Sequence, residues 1–77
     1  MPDTDSAIDT TIERLTQAIG LYRALAERHA RQERAAAAEG LTVVAEYHAR
    51  ERRFYERCLQ RARQQLERAR AEREFGP

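Results

Sequence analysis

Ala35-Ala36-Ala37-Ala38-Glu39-Gly40-Leu41-Thr42 is the stretch that decides the fold. Four alanines continue a helix, Gly40 ends it with a residue that tolerates the left-handed conformation, Leu41 covers the end, and Thr42 is placed to cap a second helix. Working back from Gly40, apolar residues recur at Ile8, Ile12, Leu15, Ile19, Tyr22, Ala26 and Ala37, and His29 and Glu33 fall on the same stripe. The steps alternate four and three, a heptad seam on a helix. Working forward, the stripe is Val44, His48, Glu51, Tyr55, Cys58, Ala62, Leu66 and Ala69. Two helices of similar length joined by so short a turn must lie antiparallel. The spacing predicts an all-α fold, a long two-helix hairpin with a helix over about 6–39, a turn near 40–42 and a helix over about 42–74. Ser6 or Asp9 is expected to cap the first helix, and residues 1–5 and 75–77 to be frayed tails of a single domain over 1–77.

Seventy-seven residues form at most one small core, because a chain of this size buries only about 60% of its unfolded surface. Such chains rely on a disulfide, a metal or association. Cys58 is the single cysteine, so no disulfide forms within the chain; a lone thiol without a motif suits a reducing compartment. Association is signalled more directly. Ala18, Leu21 and Leu25 lie off the seam of the first helix, and Val43, Phe54 and Leu59 off that of the second. One helix–helix contact cannot cover both sets. Leu21, Leu25, Val43, Phe54 and Leu59 are therefore the expected interface, closing a homodimeric four-helix bundle or receiving a helical partner. The polar, acidic start of the chain is no secretory leader, and no apolar run approaches a membrane span, so a soluble, cytoplasmic protein is expected.

Four polar residues share the seams: His29, Glu33, His48 and Glu51. Counting from Gly40 sets His29 beside Glu51 and Glu33 beside His48, so two imidazoles and two carboxylates are expected to converge in one layer. Such a donor set suits Fe, Mn or Zn inside a helical bundle. The spacings are His-x-x-x-Glu and His-x-x-Glu, not the Glu-x-x-His of ferritin-like di-iron proteins, and they carry no family specificity. The favoured expectation is a layer without cofactor that fixes register and partner number, sensitive to acid in either case. Tyr22 and Tyr55 flank the layer as aromatic filling.

Charge is uneven. Residues 1–40 carry five arginines against seven acids, a net of −2, and residues 41–77 nine against six, a net of +3. Arg50, Arg53, Arg57, Arg61 and Arg68 share one side of the second helix, where they could face phosphate. Glu46, Glu56, Glu67 and Glu72 interleave with them, which favours a solvated, ion-paired face over a nucleic-acid accessory. Chemistry has little to stand on: there is no glycine-rich phosphate loop and no nucleophile beside a base, so no catalytic residue is assigned. The stretch around Ile8-Asp9 and Arg28 is similar to the first helix of small helical chorismate mutases, but the third helix and basic residues of that family are missing. In size and outline the hairpin resembles small helical-hairpin co-chaperones of bacterial secretion systems, which implies a structural or protein-interaction role rather than an enzyme.

Overall fold

The computed structural model describes residues 4–76, and side chains over 6–76. Two helices, α1 (Thr4–Ala38) and α2 (Thr42–Phe75), pack against each other as a rod of 58 × 15 × 14 Å. Helix α1 starts before Ser6, and Ser6 and Asp9 lie inside it rather than capping it: the Ser6 carbonyl accepts from Thr10 Oγ1 at 3.0 Å. Phe75 is the last residue of α2. Residues 1–3 and 77, where the rest of both expected tails falls, lie outside the described residues.

The turn follows from its chemistry. Gly40 takes φ 74°, the left-handed region where a Cβ would be strained. That bend lets Leu41 N–H donate to the Ala36 carbonyl (2.9 Å) and Gly40 N–H to that of Ala37 (3.0 Å), satisfying carbonyls that the helix end leaves open. Thr42 does not act as the cap of α2. Leu41 occupies the cap position with no side-chain bond, and Thr42 is already helical, its N–H tied to the Gly40 carbonyl at 3.0 Å. With the turn this tight, the backbone closes α2 before a hydroxyl can reach back.

The core is thin and lies in the half away from the turn. Ile19, Ala62 and Leu66 form it, with Ile12, Leu15, Tyr22 and Leu59 packed around them. Ala26, Ala36 and Ala69 are also buried, but among the described residues no side chain is fully so. Burying a side chain such as Ile19 or Leu66 contributes about 1.5–3 kcal/mol, and among the described residues only these two large ones are buried. Near the turn the seam shifts from the expected positions. Ala36, not Ala37, is buried, as strict alternation of four and three from Glu33 requires. Val44 stays exposed, because level with it α1 offers only the methyl groups of the alanine run. At the open end Arg73 Nη1 donates to Asp9 Oδ1, tying the helices together.

Candidate functional site

Between the core and the turn, the helices meet through stacked rings instead of aliphatic side chains. Tyr22 and His29 are seven apart on α1, and His48 and Tyr55 seven apart on α2, so each pair points to one face of its helix. The rings interleave. Tyr22 stacks on Tyr55 (6.4 Å between centroids), Tyr55 on His29 (5.7 Å, 11° between planes), and His29 lies against His48 (5.2 Å). Tyr47 closes the row edge-on to both imidazoles, and Phe54 packs edge-on to Tyr55. Offset and edge-to-face geometries like these add to the burial of the rings themselves. The seven-residue spacing of ring-bearing residues on both seams was the sequence signal for this ladder.

Within it, His29 Nδ1 and His48 Nδ1 stand 2.9 Å apart. One ring must donate and the other accept, so this contact holds a single proton between the two nitrogens; a proton on each turns it into a repulsion. Beside it, with Glu33 one turn nearer the loop than His29 and Arg52 one turn further from it than His48, Arg52 Nε donates to Glu33 Oε1 at 2.7 Å, and Arg52 Nη1 to Glu56 Oε1 at 2.7 Å. The Arg52 hydrogen bond holds the Glu33 carboxyl below the ordinary glutamate range against its partial desolvation, with the charges of Arg52, Arg53 and Arg34 acting in the same direction as the bond. The same bond holds the Arg52 guanidinium further up.

The expected pairing of His29 with Glu51 and Glu33 with His48 is therefore replaced. Side chains lean toward the start of their own helix, so in this hairpin those of α1 lean away from the loop and those of α2 toward it. Glu33 thereby reaches Arg52, further along α2 than His48. A guanidinium, always charged and forked, outcompetes an imidazole for a carboxylate, and His48 meets His29 instead, a contact made against that lean. Glu51 is half-buried and makes no side-chain hydrogen bond among the described residues. Nor do three or more His, Cys, Asp or Glu side chains gather there as a metal ion would require. Cys58 is half-buried and lines a shallow groove with Leu15, Ala18, Tyr22, Arg61, Ala62 and Gln65.

The expected interface divides in two. Leu25 and Leu59 are half-buried, Leu59 against the core, so the hairpin partly covers them itself. Leu21, Val43 and Phe54 are exposed, and Leu41, Val44 and Tyr47 join them. Arg50, Arg53, Arg57 and Arg61 are all exposed as well. The ion-paired face expected for them is not formed: among the described residues the salt bridges on α2 belong to Arg52 and Arg73. Also among the described residues, no helix is long and apolar enough to cross a membrane. Comparison with known proteins returns no matching family model, no matching curated protein and no matching solved structure.

Proposed function

We propose that this chain is a protein-interaction module, a helical hairpin that associates through its exposed apolar flank with a second copy, completing a four-helix bundle, or with a helical partner. One observation carries the reading. Val43 is 78% exposed, Leu21 57% and Phe54 49%, while among the described residues the core retains only two large buried side chains. Large apolar residues left this exposed mark interaction surfaces in soluble proteins, and a chain this small has little stability to forgo. The ring ladder then acts as the register device, fixing how the two helices slide while the flank recruits. Mass in solution by light scattering, with the melting temperature followed against protein concentration, tests this: association makes the melt concentration-dependent. A stable monomer with a concentration-independent melt and no partner sinks it.

A second reading, a bundle holding Fe, Mn or Zn, is favoured by the approach of His29 and His48 alone. Since the hairpin gathers only these two nitrogens, Glu51 or groups from another molecule would have to complete the shell. Elemental analysis of the purified protein tests it, and metal-free protein with an unchanged melt on adding each ion overturns it.

A further inference from the structure

The exposed surface of α2 carries a second heptad stripe beside the one used in the hairpin: Val43, Tyr47, Arg50, Phe54, Arg57 and Arg61. The steps run four, three, four, three, four, the pattern by which one helix seats another. All six residues are exposed. The stripe is apolar toward the turn and cationic toward the open end, and it contains no carboxylate. Of its flanking acids, Glu46 stands four residues before Arg50 without pairing to it, and Glu56 is occupied by Arg52. Arg50, Arg57 and Arg61 form no ion pair among the described residues. Arg53 lies off the stripe, and its field reaches Glu33 instead. Beyond Phe54, Arg57 and Arg61 line a shallow groove with Gln60 and Gln64.

We infer that this stripe is a docking seam for an acidic amphipathic helix of another protein, its apolar residues over Val43, Tyr47 and Phe54 and its carboxylates over Arg50, Arg57 and Arg61. Charge selects this occupant over a second copy on the same stripe. Packed in parallel, two such stripes set Arg50, Arg57 and Arg61 against themselves, and like charges opposed across a helix seam are destabilising. Packed antiparallel, the arginine end covers Val43 and Tyr47. Nor does the acidic side of this chain provide a complement: Asp9, Glu13 and Glu27 share their face of α1 with Gly20 and Arg23, with no apolar stripe between them. An arginine stem lies along apolar surface while its head finds a carboxylate, so apolar residues running into arginines suit a helix that is both greasy and acidic.

The inference rests on the reading of the chain as an interaction module, and the test separates the two. Two synthetic helical peptides of three heptads serve as probes, both with leucine on the seam, one flanked by glutamate and the other by lysine. Binding to the full chain is followed by fluorescence anisotropy, beside a duplex DNA of about twenty base pairs. The glutamate peptide is expected to bind at least tenfold more tightly than the lysine peptide, and to weaken as salt rises from about 0.05 M to about 0.5 M. Phe54→Ser should weaken it about tenfold, and Arg57→Glu with Arg61→Glu should reverse the preference toward lysine. All three positions are exposed, so circular dichroism should show the helices intact in each variant. Equal binding of both peptides, or an unchanged preference in the double variant, overturns the inference. So does DNA binding that depends on Arg57 and Arg61 but not on Phe54, which assigns the arginines to phosphate. If neither peptide binds and the chain is a stable dimer, the seam fails while the interaction module stands. A stable monomer that binds none of the probes removes both.

Discussion

The half of the hairpin near its open end and the half near Gly40 are built on opposite plans. In the first, Ile12, Leu15, Ile19, Leu59 and Leu66 point inward and charged residues outward. In the second, His29, Glu33 and His48 occupy the seam with Arg52 reaching in from beside it, while Val43, Val44, Tyr47 and Phe54 face out. The same chain thus keeps its aliphatic cohesion in one half and most of its exposed apolar residues in the other, with Leu21 and Phe75 the exceptions. Polar seam contacts are specific about geometry but contribute less than aliphatic burial, and exposed apolar residues gain only when something covers them. One half holds the fold together; the other, in the function proposed above, sets its alignment and receives a partner.

Substitutions sharpen or break this contrast. The largest effect belongs to the open half: Ile19→Ala or Leu66→Ala should cost about 2–5 kcal/mol, enough to unfold much of the protein in a thermal melt, whereas Arg63→Ala should change little. Equal losses from all three would dissolve the distinction between the halves. Next is the turn. Gly40→Ala forces a Cβ into a left-handed φ and should cost about 1–2 kcal/mol, read as a lower urea midpoint with an unchanged slope. Smaller still is the ladder. His48→Leu leaves a nitrogen of His29 without its partner and should cost about 1 kcal/mol, while joining it to His29→Leu should recover that loss or exceed it. If the double variant were worse than the single, the imidazole contact would be a main support of the fold rather than an alignment device.

The smallest effect is acid sensitivity at Glu33. Its carboxyl is held below the ordinary range in the folded chain, so the unfolded chain binds the proton more readily. The contribution is complete at neutral pH and is lost as pH falls from about 4.3 through the lowered value. Glu33→Gln should flatten the drop in melting temperature over that window. An unchanged acid profile would show that the Arg52 bond contributes nothing in solution.

The architecture was legible in the sequence because two signals agreed, the four-three alternation on both helices and the glycine after an alanine run. The seam residues Ile19, Ala62, Leu66 and Ala69 were legible for the same reason. The site was only half so. Periodicity identifies which residues share a stripe, hence His29, Glu33, His48 and Glu51, but not which of them meet across it. That depends on the lean of each side chain and on competition, and Arg52, one step off the stripe, won Glu33. The second stripe of α2 was split in two by residue type: Val43 and Phe54 read as apolar interface, Arg50, Arg57 and Arg61 as a basic ridge. Only their common exposure joins them.

The separation of tight packing from the turn also governs how the chain folds. Contacts beside Gly40 close short loops and cost little entropy, but they are alanine methyls and polar groups that return little. Ile19 and Leu66, which return the most, enclose a much longer loop, whose closure is dearer by an amount growing as the logarithm of its length. The chain therefore cannot simply zip from the turn and gain stability at every step. The early turn is a weak nucleus, and folding commits only when the distant aliphatic residues meet. In the folded protein the same asymmetry should make the turn half open more readily than the other. Hydrogen exchange should find the fastest amides around Val43 to Tyr47 and the slowest around Ile19 and Leu66.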